Sequence, residues 1–190
     1  MPTLTPRLAA ALCSIGLLLS PAMPVMAQAP GTPAAAPNTQ PMSSPPATAS
    51  VTIAGGTIDI RYSRPSMRGR KIIGDIVPFD QVWRTGANPA TTLITSVPLK
   101  FGNFTVPAGN HTLYTLPSQS GWQLIINNQT GQWGTEYHQE QDLGRTPMQS
   151  KPVASPQEVM SISFENTTPN SAELHVRWEN TDEFVVVTKP

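Results

Sequence analysis

Residues 172–179 read Ala-Glu-Leu-His-Val-Arg-Trp-Glu, and this octet decides the fold class. Ala172, Leu174, Val176 and Trp178 fall on one side of an extended chain, with Glu173, His175, Arg177 and Glu179 on the other, because successive strand side chains point to opposite faces. A helical winding would scatter the same apolar residues around its circumference, so the octet is a half-buried β-strand. The same period of two recurs upstream. Ile58, Ile60 and Tyr62 oppose Asp59, Arg61 and Ser63, and Met160, Ile162 and Phe164 also alternate. Trp122, Leu124 and Ile126 do likewise, with Ile125 implying burial on both sides. Residues 184–188 form a mainly β-branched run, and 91–96, 99–101, 104–106 and 111–116 fit further short strands.

Turn signals punctuate these runs: Gly55-Gly56, Gly102-Asn103, Pro107-Ala108-Gly109-Asn110, and the polar stretches 118–121 and 127–131. No stretch carries a long amphipathic helical pattern. Residues 78–83 are predicted to form one helical turn, since proline suits a first helical position. Residues 139–157, polar and proline-containing, read as a long surface loop. Many short strands with frequent turns specify a single antiparallel β-sandwich, jelly-roll-like or barrel-like, over residues 51–190.

The N-terminal part is different in kind. Between Arg7 and Asp59 there is no charged residue. Residues 8–19 (Leu-Ala-Ala-Ala-Leu-Cys-Ser-Ile-Gly-Leu-Leu-Leu) are apolar but too short to span a bilayer, which takes about 20 residues. Ser20, Pro21 and Pro24 break the run, and Val25-Met26-Ala27 supplies a small residue at a cleavage point. Residues 1–27 therefore read as a secretory signal cut after Ala27; a cut after Ala29 would place Pro30 beside the scissile bond. Cys13, the single cysteine, lies inside that run, so the mature chain has no disulfide or thiol ligand. Residues 28–50 hold six prolines and six alanines without charge, the composition of a disordered linker. The expected location is periplasmic or extracellular, with no transmembrane span after cleavage.

Across 190 residues, 12 Lys+Arg balance 12 Asp+Glu, and charged residues make up 13%. A neutral chain is a poor electrostatic partner for nucleic acid. The sum hides two unlike parts. From Arg61 to Arg84 there are six basic residues (Arg61, Arg64, Arg68, Arg70, Lys71, Arg84) against Asp75 and Asp80. From Glu136 to Glu183, nine acidic residues face only Arg145, Lys151 and Arg177. A guanidinium offers paired donors to carboxylate, phosphate or sulfate, so the basic stretch can hold an anion. It can equally be a scaffold in which Arg64 and Arg84 pair with Asp75, Asp80 or Glu179.

Residues 62–92 (YSRPSMRGRKIIGDIVPFDQVWRTGANPATT) also carry a resemblance. Tyr62-Ser63-Arg64-Pro65, Gly69-Arg70, Gly74, Val77-Pro78 and Val82-Trp83-Arg84-Thr85-Gly86-Ala87-Asn88 are similar to an exported bacterial family known as domain of unknown function 2911. Pro107-Ala108-Gly109 with Leu113 and Tyr114, then Trp133-Gly134 and Trp178-Glu179, resemble its later signatures. The resemblance spans roughly Val51 to Thr188. It implies an exported all-β domain and no particular activity. Pro89 stands where the family's Ala-Asn-x-Ala-Thr run has an acidic or small residue. His111 stands where an aromatic residue is more usual.

Candidate site residues follow from chemistry. There is no GxSxG elbow, HExxH pair or glycine-rich phosphate loop with lysine. His175 alternates onto a polar face and reads as solvated. His138, beside Glu136 and Glu140, reads as a solvated loop rather than a metal ligand. His111 and Tyr114, three apart in a strand, point to opposite faces. Trp122 and Trp178 align with apolar faces, whereas Trp133, among Gly131, Gln132 and Gly134, is the tryptophan placed for exposure and sugar stacking. The favoured reading is a cofactor-free, metal-free binding module in which Arg64, Arg84 and Asn88, near Trp83 and Tyr62, hold a small polar or anionic ligand or saccharide. Asp80 and His111 complete the candidate set. One alternative is an envelope hydrolase in which Asp80, Arg84, Asn88 or His111 converge; another is a structural envelope protein.

Overall fold

The computed structural model describes residues 43–190, and these fold as two antiparallel sheets. The signal segment, Cys13 and the linker through residue 42 lie outside the described residues. The first sheet runs in the order β1 (Pro46–Ile53), β2 (Gly56–Ser63), β3 (Thr91–Thr95), β6 (Gly109–Leu116), β7 (Gln123–Asn127) and β8 (Asp142–Pro147). The second runs β10 (Gln157–Glu165), β11 (Ser171–Glu179), β12 (Thr181–Thr188), β4 (Leu99–Phe101) and β5 (Phe104–Val106), with β9 (Gln149–Ser150) paired to β12. Edge strand β1 lies against β10, and β8 lies against β5, so the layers approach at both edges. The result is a sandwich with barrel-like closure, which leaves little free strand edge.

The period of two produces the core directly. Ile58, Ile60, Leu93, Leu113 and Leu124 face Met160, Leu174, Val176 and Val187 in one buried cluster. Each such side chain contributes about 1.5–3 kcal/mol on burial. Ile125 is buried on the opposite face with Ala90 and Tyr114, under Tyr137 of the loop that follows β7. Its double burial was legible in the uninterrupted apolar run. The β1–β2 hairpin closes through Ala54 and Gly55, both at positive φ (56° and 78°), the geometry that matches strand twist in a two-residue turn.

Four expectations are corrected. Residues 78–83 form no helix: Asp80 sits at φ 59°, and Trp83 makes a reciprocal antiparallel bridge with Thr115 (N–H···O 2.8 and 2.9 Å). Thr115 lies past the end of the β3 ladder, so its backbone groups are free to pair, and that pairing outcompetes one helical turn. The stretch 139–157 is loop only in part, since β8 completes the ladder on β7 and β9 adds to β12. The strand β1 begins at Pro46, so the domain starts before residue 51; Ala47, Ala49 and Val51 pack on the core despite the low-complexity composition. His175 is not solvated but fully buried, at 0% exposure. The flanking strands cover it: its ring nitrogens face Asp182 Oδ1 at 2.7 Å and Glu173 Oε2 at 3.1 Å, and Phe184 stacks on the ring at 4.9 Å.

Candidate functional site

Strands β2 and β3 are hydrogen-bonded neighbours, yet residues 64–90 separate them in sequence. This connection leaves the first sheet, crosses to the second and returns. Its outward leg is tied to β10, where the β10–β11 register shifts between Gln157 and Ser161. Met67 N–H donates to Glu158 O (2.9 Å), Met160 N–H to Pro65 O (2.9 Å), and Arg68 N–H to Glu158 Oε1 (2.8 Å). Its tip is held by Glu179, whose carboxylate accepts the N–H groups of Ile72 (3.3 Å) and Ile73 (2.9 Å). The return leg is pinned by Trp83 on Thr115 and by buried Thr85, whose hydroxyl meets Thr115 Oγ1 at 3.1 Å. Gly86 allows a close approach here, since a Cβ would stand 3.0 Å from Ser63 O and 3.1 Å from Thr91 Oγ1.

The folded connection encloses a cleft of about 320 Å3, within the size range of small-ligand pockets. Trp83 and Trp178 contribute to its lining, stacked with centroids 5.8 Å apart and planes at 19°, and Trp122 meets Trp83 edge-on at 6.2 Å. Trp83 Nε1–H donates to Gly86 O at 3.2 Å, which fixes the indole. Arg68, Arg70, Arg84 and Asn88, with Ser43, Ser44 and Ser66, supply the polar lining, and no Asp, Glu, His or Cys is part of it.

The arginines are oriented without being neutralised. Arg68 Nη2 donates to Ser43 O (2.9 Å); Arg70 donates through Nε to Met67 O (3.0 Å) and through Nη2 to Ser66 O (3.0 Å). Backbone carbonyls aim these groups but carry no countercharge. Arg84 is partly buried, and its Nε is shielded from solvent with no hydrogen-bond partner among the described residues. Burial pushes its guanidinium below the ordinary arginine value. Among the described residues none of the three makes an ion pair, whereas Arg145 pairs with Asp142 and Arg177 with Glu165 and Asp182. Arg68 and Arg70 are exposed, whereas Arg84 is partly desolvated; an unpaired cation there is costly, and an anion docking against it recovers that cost.

The sequence candidates divide accordingly. Arg84, Asn88 and Trp83 come together in the cleft. Arg64 lies beside it without lining it, its Nε donating to Met160 O at 3.2 Å. The Tyr62 hydroxyl bridges to β10, accepting Ile162 N–H at 3.0 Å, and is a tie between the sheets. Asp80 is exposed, and its backbone N–H donates to Pro117 O. His111 is buried with Nε2 3.0 Å from Pro107 O, bracing the turn before β6. Of the four polar groups named for the hydrolase reading, Arg84 and Asn88 line the cleft together, while Asp80 and His111 do not. The supposed partners of the arginines are engaged elsewhere or exposed: Glu179 on the Ile72 and Ile73 amides, Asp75 and Asp80 at the surface. Arg68, Arg70 and Trp178 were not among the sequence candidates. The density of arginine in 61–84 signalled the first two, but an irregular loop has no periodicity to say which of its arginines share a side.

Trp133 is 52% exposed and lies outside the cleft, in a neighbouring groove. His138 is exposed beside Glu140 at 3.1 Å. Among the described residues no group of three His, Cys, Asp or Glu side chains is placed to hold a metal, and no helix is long and apolar enough to cross a membrane.

Architecture and site define a two-sheet antiparallel β-sandwich whose irregular β2–β3 connection builds a positively charged cleft over stacked tryptophans. The chain belongs to the family described as Protein of unknown function (DUF2911), whose model matches residues 44–187 and so takes in both sheets and nearly all of the cleft. Comparison with curated proteins and with solved structures finds no match.

Proposed function

We propose that this protein is a binding module for a small anionic ligand, held in the cleft by Arg84, Arg68 and Arg70 with Asn88 as a neutral hydrogen-bond donor. The observation that carries the reading is Arg84: partly buried, with Nε shielded and unpartnered, in a lining that contains no carboxylate. Arg145 and Arg177, by contrast, are each paired with carboxylates. A planar guanidinium offers paired donors to a carboxylate, phosphate or sulfate. The lining holds serines but no histidine or carboxylate to activate one, which favours binding over hydrolysis. We further propose that the protein acts outside the cytoplasm after removal of residues 1–27. N-terminal sequencing of the mature protein is expected to begin at Gln28; a cytoplasmic chain retaining Met1 overturns this.

The test is titration calorimetry with sulfate, phosphate and citrate at low ionic strength, where exposed charge is least screened. Binding is expected to weaken at least about tenfold in Arg84→Ala, and less in Arg84→Lys, which keeps the charge and loses the fork. Thermal melts of both variants establish that the fold is retained. Equal affinity of wild type and a folded Arg84→Ala overturns the proposal.

A further inference from the structure

Beside the arginine cleft lies a second, uncharged groove of about 540 Å3, lined by Ser43, Pro46, Ser63, Asn88, Pro89 and Trp133. Ser43 and Asn88 line both depressions, so they form the boundary between them. Trp133 is the one exposed aromatic side chain among the described residues. Its backbone is held firmly. Pro89 and Trp133 form an antiparallel bridge, Gly134 N–H donates to Asn88 O at 3.2 Å, and Ala90 N–H donates to Gln132 O at 3.3 Å. The segment that presents the indole is thus clipped to the return leg of the β2–β3 connection. Gly134, the next residue, packs directly under the Arg84 side chain, where a Cβ would collide with Arg84 Cδ. The aromatic platform and the unpaired guanidinium therefore belong to one assembly of backbone.

The groove's chemistry selects the occupant. One indole and two prolines give flat apolar surface, and Asn88, Ser43 and Ser63 are the polar residues of the same lining. It has no Leu, Ile, Val, Met or Phe, so it lacks the aliphatic wall that an acyl chain requires. A pyranose fits this description, with apolar C–H faces for an indole and hydroxyls for amide and hydroxyl partners. The groove's own lining carries no charge, and the arginines of the cleft lie beyond Ser43 and Asn88.

We propose that groove and cleft are two subsites of one site for an acidic glycan. A pyranose ring stacks on Trp133 while a carboxylate or sulfate, on that ring or the next, enters between Arg68, Arg70 and Arg84. The proposal rests on the anion-binding reading of the cleft and adds the ligand class. Asn88 and Ser43, common to both subsites, lie where the charged and uncharged portions of the ligand join.

The experiment is calorimetry on the purified protein with four probes: trigalacturonate, a sulfated disaccharide, neutral galactotriose and sodium sulfate. At least one acidic saccharide is expected to bind about tenfold or more tighter than both sulfate and the neutral sugar. Trp133→Ala, a change at an exposed position, is expected to abolish that advantage and leave sulfate affinity unchanged. Arg84→Ala weakens sulfate and acidic saccharide alike. Sulfate binding with no gain from either acidic saccharide, or a gain that survives Trp133→Ala, overturns the glycan proposal and leaves the anion cleft standing. Absence of binding by every anionic probe overturns both.

Discussion

The Glu179 carboxylate accepts the backbone N–H of Ile73 at 2.9 Å rather than pairing with any arginine. It also receives Ile72 N–H at 3.3 Å, so one side chain at the end of β11 satisfies two amides at the tip of the β2–β3 connection. The contact fixes the loop that carries the cleft arginines and leaves Glu179 in no ion pair with them.

Glu179→Ala is expected to lower unfolding free energy by about 1–3 kcal/mol, because it strands two partly buried amides. Glu179 already sits at φ 53°, a conformation alanine relieves no better, so the loss is not offset by backbone relaxation. Urea denaturation measures the effect. The same variant is expected to bind sulfate more weakly through a loosened loop, not through lost charge. Its affinity defect should therefore persist at an ionic strength that screens exposed charges, and a wild-type affinity in the folded variant contradicts this role.

Gly134 is expected to tolerate no side chain. A Cβ would meet both the Arg84 side chain and the Asn88 carbonyl oxygen. Arg84 is flexible at that end but Asn88 O is backbone, so some main-chain movement is required. Gly134→Ala is expected to cost about 1–3 kcal/mol in stability, as overpacking does, and to weaken anion binding by displacing Arg84. Gly131, on the other side of Trp133, has open space where a Cβ would stand but a φ of 79°. Gly131→Ala is therefore expected to cost stability through backbone strain alone and to leave anion affinity as in wild type. Parallel calorimetry of the two variants separates a positioning glycine from a turn glycine.

His175 anchors the charged face of the second sheet. It is buried between Asp182 and Glu173, and Arg177 Nε donates to the second oxygen of Asp182 at 2.7 Å. With Asp182 only 2% exposed, truncating the imidazole leaves a cavity and withdraws one of that carboxylate's partners. His175→Ala is expected to destabilise by about 2–4 kcal/mol, read as a lowered denaturation midpoint, with sulfate affinity unchanged because the cluster lies away from the cleft lining. A loss below about 0.5 kcal/mol, the range of ordinary surface changes, is the outcome that contradicts a buried structural role.

His175 also marks where sequence reading stops. Alternation correctly assigns it to the face opposite Leu174 and Val176, but cannot say whether that face meets water. Glu165 and Asp182, from the strands on either side, close over it, and that proximity exists only once β10, β11 and β12 are in register. The strands themselves were legible because each carries its own period. The cleft was legible only in part. Arg84, Asn88 and Trp83 sit in one short run whose turn residues hold them together, so a sequence reading finds them as a group. Arg68 and Arg70 enter the cleft and Arg64 does not, and this depends on hydrogen bonds to Glu158 and Met160, some ninety residues away. Trp178 was assigned to the core from its face; its position at the strand end lets it serve core and cleft together.

Two carboxylates give the stability profile opposite slopes. In Glu165 the hydrogen bond from Arg177 outweighs burial, with further help from the His175 and Lys151 sides, and holds the carboxyl below its ordinary value near 4.5. Its contribution is fully present above that value and is lost as pH falls through the lowered one. Glu183 is displaced the other way. Burial dominates, the Asp182 charge adds to it, and the Ser150 hydroxyl, donating to both oxygens at 2.8 and 2.9 Å, opposes it only in part. Above pH 4.5 the unfolded chain has released the Glu183 proton while the native state still holds it. The native state therefore binds more protons there, and stability declines as pH rises toward the raised value. Glu183→Gln keeps an oxygen for Ser150 and removes the titration. Its stability relative to wild type is expected to increase with pH from about 4.5 upward and to level off above the native Glu183 value. Urea midpoints of both proteins between about pH 4 and pH 8 measure this. Parallel curves across that window contradict the assignment, and a mutant that loses ground as pH rises reverses its sign.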